Sequence, residues 1–202
     1  MQELSIKEKR EQKRINEILD AAQEVFTEKG FHGATVNDIA DRALISKFTL
    51  YKHFDSKDAI LNAILSRGYE ILTGSVTKRI KDVEDPGQRI MGIIRAEFEF
   101  FENRKSFFQM LLMEKLDFES EVKNNILSSY QKHIVFIQKE IQNGIKKRNF
   151  RFVNAEDAAC MLFATLRAFA LRWLFKETKN SLSAQADSVY DLIIRCLESE
   201  QE

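Results

Sequence analysis

One proline, Pro86, and seven glycines are the only strong helix breakers in 202 residues. That scarcity argues against a turn-dense β-sandwich or barrel, which needs punctuation every few residues. Charge of one sign is also missing. Basic and acidic side chains number 31 each, so an indiscriminate binder of polyanions is excluded and any nucleic-acid contact must come from a local patch. The chain has two cysteines, Cys160 and Cys196, in apolar-periodic stretches without metal or redox spacing. They are expected to be buried thiols in a reducing compartment. No run approaches the roughly 18 consecutive apolar residues of a membrane span, and Met1 to Arg14 are polar where a secretory leader would be apolar. The expected location is cytoplasmic, with no membrane partner.

Catalytic signatures are missing too. The sequence holds no dinucleotide-binding glycine run, phosphate-binding loop, HExxH, CxxC or nucleophile elbow. Its three histidines, His32, His53 and His133, have no metal-ligand spacing. The expectation is therefore no enzyme, no catalytic residue, no metal and no cofactor.

What is present is helical periodicity. The composition is 44% hydrophobic, with 16 phenylalanines, and apolar residues recur at helical spacing, which argues for an all-α fold. Residues 1–14 read as a charged arm. Lys7, Lys9, Arg10, Lys13 and Arg14 alternate with acids, which suits either a DNA-contacting tail or a salt-paired solvated face. A stripe of Ile18, Ala22, Val25 and Phe26 predicts a helix that stops at Gly30, where glycine tolerates positive φ. Thr35 reads as the cap of a short helix to about Ala43, with Asp38 closing a capping box. Ser46 caps a second short helix to about Phe54, and Ser56 a long third one. Beyond the break Asp85-Pro86-Gly87, helices are expected near 87–103, 105–116, 120–148, 155–177 and 183–199.

Thr35 to Phe54 has the layout of a helix-turn-helix. Ile39, Ala40, Ala43, Ile45, Leu50 and Phe54 would pack the two helices together. Ser46, Lys47, Phe48, Thr49, Tyr51, Lys52 and His53 would face outward, a set of phosphate and base-edge donors able to enter a major groove about 12 Å wide. Residues 14–58 resemble the DNA-binding domain of the TetR family of bacterial regulators. The resemblance rests on Ile18, Leu19, Ala21, Ala22, Phe26, Gly30, Phe31, Thr35, Ile39, Ala40, Ala43, Ser46, Leu50, Tyr51, His53, Phe54, Ser56 and Lys57, in order and spacing. It implies that Thr35, Tyr51, His53 and Lys57 hold phosphates and that Ser46 to Lys52 form the recognition helix, with Lys47 and Thr49 the candidates for base contact. Two positions depart from the pattern. Leu44 stands where the family's turn usually carries glycine, and since positive φ costs leucine about 1 kcal/mol, the turn is expected to relax to another geometry. Phe48 stands where a small residue is common; it either meets a thymine methyl or folds back onto the core.

The resemblance divides the chain into a three-helix DNA-binding domain, 1–56, and a larger helical ligand-binding and dimerisation domain, 57–202. It implies a cavity in the larger domain, and the dense lining of phenylalanine and methionine suits a small, mainly apolar ligand. The candidate contacts are Phe98, Phe101, Gln109, Met113, Tyr130, His133 and Arg167. Arg167 lies in an otherwise almost continuously apolar stretch, so it is either buried with a partner or at an interface. Segments 155–177 and 183–199 are apolar on more than one face, and in this family the last two helices pair into a homodimer. The expected function is a ligand-released repressor on palindromic double-stranded operator DNA. The alternative is a helical protein-interaction module with weakened DNA binding.

Overall fold

The computed structural model describes residues 5–113, 120–175 and 181–198. Among these, regular structure is helical, apart from an isolated bridge between Phe150 and Glu198. The elements are α1 (Ile6–Gly33), α2 (Val36–Arg42), α3 (Lys47–Tyr51), α4 (Lys57–Ile80), α5 (Pro86–Asn103), α6 (Lys105–Met113), α7 (Ser120–Lys146), α8 (Ala155–Phe175) and, after a 3₁₀ turn (Ser183–Gln185), α9 (Ala186–Leu197). The all-α expectation holds. Residues 114–116, expected to extend α6, lie outside the described residues. The chain forms two compact units, one of Met1–Gly68 with Ser106–Ile126 and one of Tyr69–Lys105 with Leu127–Glu202.

The first unit opens on the salt-paired, solvated face that is one of the two readings of the charged arm. The charged arm is helix: α1 starts at Ile6, capped by Ser5, whose hydroxyl accepts from the Glu8 amide while Glu8 returns a bond to the Ser5 amide. Two orphan donors at the helix start are thus satisfied reciprocally. Further on, Lys13 and Arg14 pair with Glu17 along the exposed surface. Regular helix geometry breaks at Gly30 (φ 71°, ψ 163°), a region essentially closed to side chains. Thr35 caps α2 through the Asp38 amide, and Asp38 answers on the Thr35 amide. The core beneath is Ile18, Ala22, Val25, Phe26, Ile39, Leu50, Ile60 and Ile64, all about 1% exposed or less. α6 approaches α4 closely at Gly68, where a Cβ would lie 2.3 Å from Phe107 Cζ; glycine is required there by space.

In the second unit, Asp85 caps α5 and Pro86 occupies its first turn, where the missing amide hydrogen costs nothing. The α5 face of Ile90, Ile93, Ile94, Phe98 and Phe101 is buried, and α5 packs on α8 and α9. The guanidinium of Arg89 donates to the Ile80 carbonyl at the end of α4 and to the Val83 carbonyl beyond it, and pairs in two-pronged fashion with Glu140. α8 is long and apolar enough by length and composition to cross a membrane. Its Leu162, Phe163, Leu166 and Ala170 are buried within the unit. Both cysteines are exposed, against the expectation of burial: Cys160 and Cys196 sit on the outer faces of α8 and α9, which apolar periodicity alone does not orient.

The Asp38 carboxylate is held by Lys29 Nζ at 2.6 Å and by the Thr35 hydroxyl and amide. The Lys29 bond first, then those from Thr35, pull its pKa from 3.8 to about 2. A carboxylate depressed on folding stabilises above its unfolded pKa, and that contribution disappears as pH falls through the folded one. Asp38→Asn is expected to be less stable than the parent at pH 7. Denaturant titrations should show the difference closing between about pH 4 and pH 2.

Candidate functional site

A helix of five residues carries the outward-facing set. Ser46 caps α3 by accepting from the Thr49 amide at 3.1 Å, and Leu50 and Phe54 anchor it in the core. What remains faces solvent. Phe48 is 70% exposed and Tyr51 44%, Ser46, Lys47 and Lys52 are exposed, and Thr49 and His53 are half-buried. Phe48 therefore does not fold back onto the core. Lys52 Nζ lies 4.6 Å from the centre of the Phe48 ring, and Lys47 Nζ 5.8 Å from that of Tyr51, so each cation is paired with an aromatic face one turn away. The Thr49 and Ser46 hydroxyls are 2.9 Å apart, which ties the Thr49 oxygen to the cap.

The turn before α3 corrects a second expectation. Leu44 adopts φ 54°, so the turn keeps its left-handed residue and does not relax. The backbone bond from the Ile45 amide to the Ala40 carbonyl, 3.0 Å, closes this turn and offsets part of the strain of about 1 kcal/mol. Its side chain is 91% exposed, one turn of sequence before Phe48.

Thr35 is exposed, its hydroxyl engaged with Asp38. Lys57 Nζ donates to the carbonyls of Phe31 (2.6 Å) and Ala34 (2.9 Å) and lies 4.4 Å over the Phe31 ring. An ammonium has three protons, so one is left over while two hold the Phe31 and Ala34 carbonyls.

Of the ligand-side candidates, Tyr130, His133 and Arg167 converge on one residue absent from the sequence-derived set, Phe163. The Tyr130 ring meets it edge-on at 4.8 Å, the His133 ring lies 5.6 Å away, and the Arg167 guanidinium sits 5.6 Å over its face. Phe98 and Phe101 are buried in the same unit. Gln109 is half-buried in the other unit; Met113 ends α6, and its side chain lies outside the described residues. Sequence reasoning missed Glu97. It is fully buried on α5, with Oε1 2.8 Å from His133 Nε2. A signal existed: Glu97 falls on the apolar stripe of Ile90, Ile93, Ile94 and Phe101, one of the few charges on a buried face. Burial works against charge on the His133 ring. The Glu97 carboxylate and its hydrogen bond outweigh that, and the pKa lies above the ordinary 6.5.

The helix-turn-helix geometry, with its capped recognition helix and exposed cations, is matched by comparison with known proteins. Residues 18–64 match the model for bacterial regulatory proteins of the tetR family, and residues 69–196 match that for the C-terminal region of YsiA-like proteins. The chain belongs to the TetR family of bacterial regulators. It is 25% identical over 190 residues to the fatty acid metabolism regulator protein of Bacillus subtilis, covering 92% of this chain and 96% of that one. Against the transcriptional activator FasR of Mycolicibacterium smegmatis the identity is 36% over 98 residues, 48% of this chain and 45% of that one, so the match spans less than half of FasR. The structure of FadR from Bacillus subtilis in complex with stearoyl-CoA superposes with a TM-score of 0.83 at 22% identity, covering 89% of this chain and 97% of that one. These relatives are regulators, and the TetR chain described here is a DNA-binding transcription regulator, not an enzyme.

Three outcomes are expected. Leu44→Gly relieves the positive φ while losing no burial, so it should raise stability by up to about 1 kcal/mol in chemical denaturation. Lys57→Ala removes two bonds from a charged donor and should cost about 1–3 kcal/mol. The Glu97–His133 pair has a raised histidine pKa, so its contribution is complete below about pH 6.5 and is lost as pH rises through the folded value. Urea titrations at a series of pH values should show stability declining above pH 6.5, and His133→Gln should abolish that decline.

Proposed function

We propose that this TetR-family chain is a repressor: a homodimer that holds a palindromic operator and is released from it by a fatty acyl-CoA. The observation that carries the reading is the alignment with the Bacillus subtilis fatty acid metabolism regulator, which spans 92% of this chain and so includes the ligand-side unit as well as the reading head. The FadR neighbour crystallised with stearoyl-CoA supports the same ligand class.

On DNA, Thr35, Tyr51, His53 and the third proton of Lys57 take phosphates, and α3 lies in the major groove. Lys47, Thr49, Ser46 and Lys52 face the base edges and backbone, and the exposed Phe48 ring meets a thymine methyl. The proposed dimer forms through segments 155–177 and 183–199. Met161, Phe175 and Leu192 on α8 and α9 are 40%, 77% and 57% exposed, apolar area that a mate would cover. Two-fold symmetry then sets the recognition helices about 34–36 Å apart. Ligand acts through α4, the continuous helix from Lys57 to Ile80, whose displacement spoils that spacing. The coupling is limited to the ligand's preference between the two states, about 1–3 kcal/mol in typical systems.

Selection from a random duplex library is expected to recover a palindrome with half-sites about one helical turn apart. Affinity should fall steeply with salt, and Lys57→Ala should flatten the slope by about one charge. Long-chain acyl-CoA should release the selected site and free CoA should not. Recovery of no enriched duplex would favour a protein-interaction module over a regulator of its own operator.

A further inference from the structure

Glu97 presents two oxygens to the interior of the second unit, and only one is used. Oε1 meets His133, while Oε2 is buried with no hydrogen-bond partner among the described residues. A buried acceptor left without a donor is costly, and native proteins keep such atoms where something else satisfies them. The surroundings carry further polar groups. Tyr69 on α4, its phenol pKa pushed up by burial, feels the charges of Arg167 and Glu97. Tyr130, His133 and Arg167 gather on Phe163. Exposure rises from none at Glu97 and 4% at His133 to 36% at Tyr130. A buried carboxylate and a part-exposed phenol therefore share one aromatic neighbourhood around Phe163.

We propose that Glu97 Oε2 is a ligand-binding acceptor that takes a hydrogen bond from a hydroxyl or amide N–H on an otherwise apolar acyl ligand, with Phe163 and Tyr130 along its path. This rests on the acyl-ligand reading above and adds a discrimination to it. A plain hydrocarbon leaves Oε2 unpaired; a ligand with a donor at the right depth pairs it. His133 offsets the carboxylate's charge, so the oxygen receives a neutral donor without a second cation. Two sources supply such a donor: a hydroxyl on the acyl chain, or the amides of a pantetheine arm.

The test measures dissociation constants of the purified full-length protein for four probes: palmitoyl-CoA, 3-hydroxypalmitoyl-CoA, S-palmitoyl pantetheine and S-ethyl thiopalmitate. A chain hydroxyl as donor is expected to favour the hydroxylated thioester over palmitoyl-CoA by about tenfold, the scale of one charge-assisted hydrogen bond. A pantetheine donor is expected to leave those two alike and to favour S-palmitoyl pantetheine over the ethyl thioester by the same factor. In Glu97→Gln and Glu97→Leu, checked for helix content, the preference should fall to about one. A preference that persists in both folded variants overturns the proposal and leaves the acyl reading standing. If neither variant folds, the parent decides: ratios of about one for both probe pairs overturn it. A parent that binds none of the four probes removes the acyl reading and this inference with it.

Discussion

Five residues of helix have no stability of their own in water, because nucleating a helix costs more than one turn of hydrogen bonds returns. The reading head depends on resolving that deficit. Leu50 and Phe54 bury against the first unit's core, the Ser46 hydroxyl closes the start of α3, and the left-handed Leu44 delivers the chain to that cap. With those positions held from within, the remaining side chains of α3 need make no contribution to folding and are free to face a groove. Lys57 extends the same logic to the next helix. By holding the Phe31 and Ala34 carbonyls, it ties the start of α4 to the end of α1, so the two long helices of the unit frame the short pair.

The second unit spends its polar groups differently. Arg89 and Glu140 form a forked pair whose arginine also satisfies the Ile80 and Val83 carbonyls at and just beyond the end of α4, a well-partnered use of partly buried charge. Glu97 and His133 are more deeply buried and less completely partnered. Removing one member of such a pair strands the other, whereas an apolar replacement of both is often tolerated. Stability alone does not explain retaining the pair. The proposed role in discriminating a ligand's polar group would supply a reason.

Local chemistry was legible in particular residues. Thr35, Ser46 and Ser56 announce helix starts because a capping hydroxyl acts within three residues, and all three accept the amides expected of them. Gly30 announces a stop for the same local reason. Ser5 with Glu8 is an equally local capping box, but the alternating charges around it suited a tail as well as a helix face. Phe163 and Glu97 were not legible as a site. Tyr130, His133 and Arg167 stood out as polar residues in apolar stretches, but nothing in their spacing says that α7 and α8 bring them to one ring.

By itself the sequence determined the all-helical class, the order of the helices and the place of the short capped helix after Ser46, since periodicity, capping and short-range motifs act through neighbours in the chain. Only the tertiary structure decided that Leu44 keeps a positive φ, that both cysteines face outward, and that Glu97 meets His133 with one oxygen left over. Those outcomes depend on which face of each helix the others cover. That is a competition among distant segments for buried area, and no window of sequence contains it.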